Sequence, residues 1–240
     1  MISKTSPTIK LQKYIAQMTG LSRRAAEKQI EKKQVKVNDQ PAHIGQRVTP
    51  GKDQVELAGK NLTPDKELCY LLLHKPPGVV TTRSDELDRP TVMSLLPKEY
   101  QHLFPVGRLD LESEGLLLIT NDGQLAQVLT HPKFKIEKTY QVQPDRKVTS
   151  PAFSHLKRGM QIDRKKIKPI DIHRMPENWL SITITSGQKH VVRKMMEKSG
   201  YNTLRLVRTQ FGPLELGELK KGEWRELELT EVQAVTNLLS

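Results

Sequence analysis

Several kinds of site are excluded by what this 240-residue sequence lacks. Its single cysteine, Cys69, has no partner for a disulfide within the chain and rules out a multi-cysteine metal site. The seven histidines are scattered, and no two of them stand at the spacing of metal ligands. We therefore expect no bound metal.

Long hydrophobic runs and phosphate-binding loops are also missing. No apolar run approaches the roughly 20 residues of a membrane span, and the first ten residues are too polar for a secretion signal. The sequence contains no Gly-x-x-x-x-Gly-Lys-Ser/Thr, Gly-x-Gly-x-x-Gly or Gly-x-Ser-x-Gly motif. We expect a soluble, cytoplasmic protein without a membrane partner.

Acidic residues are few relative to basic ones. The chain has 39 Lys and Arg against 27 Asp and Glu, a formal net charge of +12 and a pI of about 9.7. Residues 1–60 contain 12 basic and 5 acidic residues, so they hold +7 of that excess. A polyanion is therefore the expected partner.

The amino-terminal segment has the pattern of two short helices followed by strands. Helical spacing indicates a first apolar face that consists of Leu11, Tyr14, Ile15 and Met18. Gly20 ends this helix and Ser22 caps the next. The alternation at Val35-Lys36-Val37 and the turn residues Asn38-Asp39 then predict a hairpin.

The second of these helices has a basic stripe. Arg24, Lys28 and Lys32 recur every four residues, with Arg23 beside them, while Ala26 and Ile30 face inward. A solvated face is the simpler interpretation of such a stripe. The net charge of +7 over residues 1–60 favours contact with RNA or DNA phosphates, which adds affinity but little sequence information.

The rest of the chain predicts a second, larger domain. Its patterns indicate strands over 68–74, 116–119, 138–142, 179–185, 204–210 and 224–229, and helices over 89–96, 125–129, 150–159 and 188–199, with Thr230 capping a final helix. Strands dominate, so the fold class is α+β around a mixed, mainly antiparallel sheet. We place the first domain at residues 1–60, a linker at 61–67 and the larger domain at 68–240.

Residues 107–123 concentrate the candidate chemistry. Asp110, Glu112 and Glu114 precede the aliphatic run 116–119, which reads as a buried strand. From these residues alone the three carboxylates are equal candidates. A surface loop with a salt bridge is the simpler interpretation, and a hydrolase with two carboxylates remains possible.

The stretch Gly107-Arg108-Leu109-Asp110-x-x-Ser113-x-Gly115-Leu116-Leu117 resembles the catalytic motif of the RNA pseudouridine synthases. Four collinear segments fit the same family: residues 74–78, residues 137–140, the helix motif around Arg193 and residues 206–227. Residues 10–57 resemble the S4-type RNA-binding domain. Together they resemble the bacterial ribosomal branch of the family that has this domain at its amino terminus.

The resemblance implies specific roles for residues of this chain. Asp110 would be the nucleophile that forms a covalent intermediate. Tyr140 would lie against the flipped uracil and act in removing the proton from C5. Arg193 would pair with Asp110 and keep it ionised. Leu206, or alternatively Leu204, would form the apolar wall beside the base.

The resemblance also implies the partners. Lys75 and Arg108 would contact phosphate or support the catalytic loop, and the basic stripe would bind RNA. The expected substrate is ribosomal RNA or a pre-ribosomal particle, with a slight preference for large-subunit RNA because of the ending Gly222-Glu-Trp-Arg-Glu-Leu227. Neither a cofactor nor a metal is required, and a monomer is expected.

The motif around Arg193 departs from the family pattern Glu-Gly-x-x-x-Gln-Val/Ile-Arg-Arg-Met. Ser186, Val191 and Lys194 stand where the family has glutamate, glutamine and a second arginine. These departures keep a non-catalytic, RNA-binding assembly factor open as an alternative function. A DNA-binding regulator is disfavoured because no recognition helix or dimer-forming element is evident.

Overall fold

The computed structural model of the chain describes residues 8–62 and 67–239. By internal contacts the chain divides into a smaller unit, Met1–Cys69 with Glu99–Leu103, and a larger unit, Tyr70–Lys98 with Phe104–Ser240. The predicted linker, 61–67, includes residues 63–66, which lie outside the described part of the chain. The domain boundaries therefore stay a prediction.

The smaller unit consists of two helices and short strands. The elements are β1 (Ile9–Lys10), α1 (Leu11–Thr19), α2 (Arg23–Glu31), β2 (Val35–Val37), β3 (Gln40–Pro41), β4 (Arg47–Val48), β5 (Val55–Leu57) and β6 (Lys60–Asn61). One sheet has the order β3-β2-β5-β6, and β1 pairs with β4. Its core consists of the apolar faces of both helices packed against β2, β4 and β5.

The local signals in this unit behave as the sequence predicts. Gly20 ends α1 in the left-handed conformation, with φ 74°, and the Ser22 hydroxyl accepts a hydrogen bond of 3.0 Å from the Ala25 amide. Asn38 and Asp39 both have positive φ, as a two-residue hairpin turn requires. The predicted helix–helix–strand order is confirmed.

The larger unit is built on a nine-stranded mixed sheet. Its strands are β7 (Tyr70–Lys75), β8 (Phe104–Pro105), β9 (Glu114–Thr120), β10 (Lys138–Pro144), β13 (Asp171–Arg174), β14 (Leu180–Ile184), β15 (Thr203–Phe211), β16 (Leu214–Glu215) and β17 (Trp224–Glu226). The main order is β13-β14-β10-β15-β9-β7-β17, and only the β9–β15 pair among these described strands is parallel. The predicted α+β class is confirmed.

Helices and a separate hairpin pack on this sheet. The helices are α3 (Gly123–Thr130), α4 (Ser150–Arg158), α5 (Val191–Lys198) and α6 (Leu229–Thr236), and the hairpin consists of β11 (Met160–Ile162) and β12 (Lys165–Ile167). One buried cluster joins β10, β14 and β15 to α4, α5 and the hairpin. A second cluster joins β7, β9 and β15 to α3 and α6.

Three predicted helix details are wrong. The segment 89–96 contains a 3₁₀ helix over Val92–Leu95 rather than an α-helix. Helix α5 begins at Val191, because His190 has φ 58° and breaks the helical path that the pattern from residue 188 suggested. Glu228, not Thr230, caps α6 and forms a reciprocal capping box with Glu231.

No helix in the described ranges 8–62 and 67–239 is both long and apolar enough to cross a membrane.

Candidate active site

The loop before β9 presents Asp110 at the mouth of a cleft of about 410 Å³. Leu116 to Ile119 in β9 are fully buried, as predicted for the strand that supports this loop. Beyond β9, the Asp122 carboxylate caps α3 by accepting hydrogen bonds from the amides of Gln124 and Leu125 at 2.9 and 3.0 Å. The loop is therefore anchored to an element that cannot shift without disturbing the core.

A buried lysine supports the same loop from below. Lys75, at the end of β7, is 0% exposed, and its ammonium donates to backbone carbonyls. The four acceptors lie at 2.7–3.2 Å and belong to Pro76, Asp110, Leu111 and Ser113. Burial lowers the pKa of Lys75 to about 8, although Asp110 and two glutamates nearby oppose the shift. Of the two predicted roles for Lys75, loop support is what these contacts show, and phosphate contact is wrong.

Backbone contacts complete this support. The Thr81 hydroxyl donates to the Leu109 carbonyl at 2.8 Å and accepts from the Leu109 amide at 3.3 Å. The Gly78 amide donates to the Leu111 carbonyl at 2.9 Å. The segment after β7 thus binds polar backbone groups of the Asp110 loop, and the Asp110 side chain lines the cleft.

Gly115 allows the parallel strand β15 to approach β9 closely. It has φ 110°, and a Cβ atom built there would lie 2.3 Å from the Arg208 carbonyl oxygen. Arg208 is the strand partner of Gly115. Any larger residue would push β15 away, so this glycine sets the distance between the Asp110 loop and the cleft residues of β15.

An irregularity between β10 and β15 decides which side chains line the cleft. The pairing passes from Thr139 with Gln210 to Tyr140 with Arg208 and skips Thr209. Such a bulge changes which face a side chain occupies. As a result the pairs Tyr140–Arg208 and Lys138–Phe211 both line the cleft.

Leu206 is the apolar cleft residue that the sequence favoured. It is 4% exposed, belongs to the buried cluster of β10, β14 and β15, and lines the cleft opposite Asp110. Leu204, the alternative, is 61% exposed and does not line it. Tyr140 is half-buried and packs against the same cluster.

Asp110 pairs with a histidine that the sequence analysis did not single out. The Nε2 atom of His190 lies 3.1 Å from Oδ1 of Asp110, with both side chains partly exposed. Arg193 instead donates to the backbone carbonyls of Glu112, at 2.9 Å, and Thr203, at 3.2 Å. The predicted ion pair between Arg193 and Asp110 is therefore wrong within the described part of the chain. The Arg193 guanidinium supports the Asp110 loop by donating to a backbone carbonyl of that loop.

The three carboxylates of the loop are in different environments. Glu112 is exposed. Glu114 is 3% exposed and forms ion pairs with Arg205 at 2.9 Å and Lys221 at 2.6 Å. Burial would raise the pKa of Glu114, but the two cations outweigh it and lower the pKa. Only Asp110 of the three lines the cleft, which gives no support to a hydrolase with paired carboxylates.

Two cations lie together on the floor of the cleft. The Arg208 guanidinium lies 4.7 Å and the Lys138 ammonium 5.5 Å from the centre of the Phe211 ring. Burial, and then the charge of Arg208, lower the pKa of Lys138 to about 8. Neither cation forms an ion pair with the residues that the structure describes. Lys138 donates to the Ile136 carbonyl and Nε of Arg208 to the Leu116 carbonyl, both at 2.8 Å, so Nη2 of Arg208 is the atom with a donor left for a bound molecule.

Other polar atoms along the cleft also have no partner within residues 8–62 and 67–239. They are Oγ of Ser113, Oε1 of Gln188 and Nη2 of Arg208, and all three are buried. Buried groups of this kind are uncommon in folded proteins. Three of the nine buried side-chain polar atoms that make no hydrogen bond within the described residues line this one cleft, which favours a polar ligand there.

The family-pattern departures are accommodated without disturbing Asp110. The Ser186 hydroxyl accepts from the Gln188 amide at 3.3 Å, Val191 is 5% exposed, and Lys194 forms an ion pair with Asp163. None of the three contacts Asp110. Ser186 and Val191 change the lining of the cleft, Lys194 lies outside that lining, and the Asp110 loop keeps its contacts.

The remaining predicted binding residues are exposed. Arg108 lies at the rim of the cleft. In the smaller unit, the stripe residues Arg23, Arg24, Lys28 and Lys32 are all exposed, and Ala26 and Ile30 are buried as predicted. Both groups are accessible to RNA phosphates.

The sequence analysis missed His190, Lys138 and Arg208 as site residues. Lys138 and Arg208 stand inside the quoted motif segments 137–140 and 206–227, so their position in a motif was the available signal. His190 occupies a variable position of its motif and gave no such signal. Its left-handed conformation brings it to Asp110, 80 positions earlier in the chain.

Comparison with known proteins gives consistent matches along the chain. The family described as RNA pseudouridylate synthase matches residues 69–198, and the S4 domain family matches residues 9–55. A crystal structure of a pseudouridylate synthase is similar with a TM-score of 0.70 and 29% sequence identity, covering 95% of this chain and 99% of the other.

Individual relatives match over nearly their full length. An uncharacterized RNA pseudouridine synthase of Aquifex aeolicus is 35% identical, with 96% of this chain and 98% of the relative covered. The ribosomal large subunit pseudouridine synthase B of Bacillus subtilis is also 35% identical, with 95% and 96% covered.

Proposed function

Because this chain belongs to the RNA pseudouridylate synthase family, we propose that it converts a specific uridine of ribosomal RNA to pseudouridine with Asp110 as nucleophile. The observation that supports this most directly is the Asp110 carboxylate, which faces Tyr140 and Leu206 across a cleft of about 410 Å³. The chain is thus an isomerase with an amino-terminal S4 domain.

The reaction exchanges one bond for another without a change in composition. The bond from ribose C1′ to N1 of uracil breaks, the base rotates, and a bond from C1′ to C5 forms. The hydrogen on C5 leaves as a proton, and N1 takes up a proton. An ionised carboxylate is a suitable nucleophile because it can form a covalent intermediate and later be released.

The apolar and aromatic residues of the cleft would position the base. The uracil would lie between Tyr140 and Leu206, and Tyr140 would also assist removal of the C5 proton. Extracting the base from its stack costs a few kcal/mol, and less in a loop than in a duplex. Contact with a buried leucine and a half-buried tyrosine would offset part of this cost.

The two floor cations would hold the uracil carbonyl groups. Arg208 has a buried Nη2 atom without a partner in the described residues, and Lys138 lies beside it over the Phe211 ring. Both can donate hydrogen bonds to carbonyl oxygens and stabilise negative charge that develops on the base.

His190 and Arg193 would keep the nucleophile in place from two directions. His190 contacts the Asp110 carboxylate itself, at 3.1 Å. Arg193 contacts the Glu112 carbonyl two residues later, at 2.9 Å. We assign the first a role in orienting the carboxylate and the second a role in holding the loop.

RNA would be held outside the cleft by phosphate contacts. Arg108 at the rim and the α2 stripe of Arg23, Arg24, Lys28 and Lys32 are exposed and basic. Large-subunit RNA is the preferred substrate, and the name of the Bacillus subtilis relative supports that preference. We expect a monomer that works in the cytoplasm without a cofactor or metal. Mapping pseudouridines in ribosomal RNA from cells with and without the gene would identify the position.

Replacing the nucleophile tests the proposal. Asp110→Asn keeps the size of the side chain and its contact with His190 but removes the nucleophilic charge. We expect tritium release from ribosomal RNA labelled at C5 of uridine to fall at least about a thousandfold, which corresponds to roughly 4 kcal/mol of barrier. The melting temperature and RNA affinity should stay close to those of the wild type.

Glu112→Gln provides the matched control, because it makes the same chemical change two residues away on an exposed side chain. It should retain activity. Turnover by Asp110→Asn at a rate near that of the control would show that Asp110 is not the nucleophile.

An RNA-binding assembly factor is the second candidate, and the altered motif at Ser186, Val191 and Lys194 favours it. Wild-type protein that binds ribosomal RNA but releases no tritium would support this alternative.

A further inference from the structure

The β11–β12 hairpin and the end of α4 form a second concentration of positive charge, on the larger unit. We call it the basic hairpin surface, and it consists of Lys157, Arg158, Arg164, Lys165, Lys166 and Lys168. All six side chains are exposed. One acid interrupts the run, Asp163, and Lys194 of α5 neutralises it in an ion pair.

Gly159 joins the two parts of this surface. It has φ 79°, and a Cβ atom there would lie 2.5 Å from the Ile167 carbonyl oxygen and 2.7 Å from the Lys168 Cα atom. The end of α4 therefore lies directly against the end of β12. This contact brings the backbone at the end of α4 beside Lys168. Along β12 the exposed side chains of Lys165 and Lys166 alternate between the two faces of the hairpin, so positive charge surrounds it.

The tip of the hairpin has an unusual residue for its conformation. Asp163 and Arg164 form a two-residue turn in which both have positive φ, 44° and 67°. The second position of such turns is most often glycine, because a Cβ atom is unfavourable there. An arginine at this position adds a cation to the tip of the hairpin at some cost in backbone strain.

The hairpin is attached to the helix next to Asp110. The Lys198 ammonium of α5 donates to the Gln161 carbonyl at 2.8 Å, and Lys194 of the same helix binds Asp163. Helix α5 also includes Arg193, and its amino-terminal flanking residue is His190, which contacts Asp110. A strand of RNA bound at the hairpin would therefore be held at a defined distance from the nucleophile.

We propose that the basic hairpin surface binds the phosphate backbone of the substrate RNA at a distance from the target uridine. The inference rests on the proposed function only for the identity of that RNA. Phosphate is favoured because the patch has six cations and one neutralised acid and has no exposed aromatic side chain that could stack on bases.

The first test changes the turn. Arg164→Gly removes one charge and relieves the strain of positive φ, so the melting temperature should rise by about 2 °C. The slope of log binding constant against log salt concentration should become shallower by about 0.8, as for one lost phosphate contact. The probe is an unmodified transcript of large-subunit ribosomal RNA, measured by filter binding with the full chain. Arg164→Lys, which keeps the charge, should retain the wild-type slope.

The second test removes two strand charges. Lys165→Gln with Lys166→Gln should reduce the slope by about 1.5. The matched control is Lys147→Gln with Lys220→Gln, two exposed lysines of the same unit whose ammonium groups make no hydrogen bond or ion pair with the described residues. The control should change the slope by less than about half as much. Equal slopes for the hairpin variant and the control would overturn the proposal.

Turnover separates this inference from the proposed function. The hairpin variants should raise KM for RNA and leave kcat at saturating RNA unchanged, because the patch lies outside the cleft. If wild-type protein gives no turnover, the proposed function fails and the binding comparison still decides the role of the hairpin. If turnover is normal and the binding slopes are equal, only the hairpin inference fails.

Discussion

The two walls of the cleft are built in different ways. On one wall, the Asp110 loop is fixed to the core by the fully buried Lys75 and by the Thr81 hydroxyl. On the other, residues 186–190 contain no regular secondary structure, and His190 has a partly exposed side chain. The first wall matches the family motif, and the second departs from it.

This difference indicates which wall of the cleft can accept substitutions without a loss of stability. A loop whose carbonyl groups depend on one buried ammonium cannot lose that residue without leaving several polar groups unsatisfied. A segment exposed to solvent has few buried polar groups that need a protein partner, because water can satisfy them. Substitutions should therefore affect stability most on the Asp110 wall and affect the rate alone on the opposite wall.

The largest effect is expected for Lys75→Met, which preserves length but removes every donor. Four backbone carbonyls lose this donor, three of them in the Asp110 loop, although the Leu111 carbonyl keeps the Gly78 amide. The free energy of unfolding should fall by about 3 kcal/mol. Turnover should fall at least about thirtyfold because Asp110 loses its fixed position. Urea unfolding and tritium release measure the two effects. Lys220→Met, at an exposed site, should change the free energy of unfolding by less than about 0.5 kcal/mol. Equal stability for the two variants would contradict the support assigned to Lys75.

An intermediate effect is expected for Lys138, on the floor between the walls. Its pKa is about 8 in the folded protein and 10.5 as the ordinary value. Between these two pH values the Lys138 side chain binds more protons in the unfolded chain than in the folded protein. The contribution of Lys138 to the free energy of unfolding therefore rises with pH. The free energy of unfolding of the Lys138→Met variant should therefore rise less between pH 8 and pH 10 than that of the wild type, by about 1–2 kcal/mol.

Urea unfolding at pH 8, 9 and 10 for both proteins measures that difference. Lys75 remains in both, so its own lowered pKa cancels in the comparison. Parallel curves for wild type and variant would show that Lys138 has no lowered pKa.

The smallest effect is expected for His190→Ala on the exposed wall. Turnover should fall about tenfold, or roughly 1.4 kcal/mol of barrier, because the Asp110 carboxylate loses its contact. The free energy of unfolding should change by less than about 0.5 kcal/mol. His190→Gln, which keeps an N–H donor, should recover part of the rate. A loss of stability larger than that of Lys75→Met would reverse the comparison between the walls.

Local patterns predicted much of this molecule. The apolar periodicity of α1, the Ser22 cap and the buried run Leu116 to Ile119 all depend on residues close together in the chain, so the sequence was sufficient for them. The family motif at Asp110 likewise lies within one short stretch. The family matches confirm the resemblance that this stretch and residues 10–57 indicated.

Helix starts were predicted less well, because a single residue can redirect the backbone. The helical pattern predicted from residue 188 is interrupted at His190, which adopts a left-handed conformation, and helix α5 begins one residue later. At α6, the apolar pattern gave no reason to prefer Glu228 to Thr230 as the cap, and Glu231 decided it by bonding back to the Glu228 amide.

The sequence by itself determined which residues are the candidates for the chemistry: a carboxylate before a buried strand, a tyrosine in β10 and a leucine in β15, in a strongly basic chain. The tertiary structure decided which of them meet. Strict alternation along β15 would put residue 210 on the face of Leu206 and Arg208, but the bulge that skips Thr209 brings Phe211 into the cleft instead. His190 reaches Asp110 for the same reason: contacts between distant segments depend on sheet order and backbone irregularities, and no local pattern encodes them.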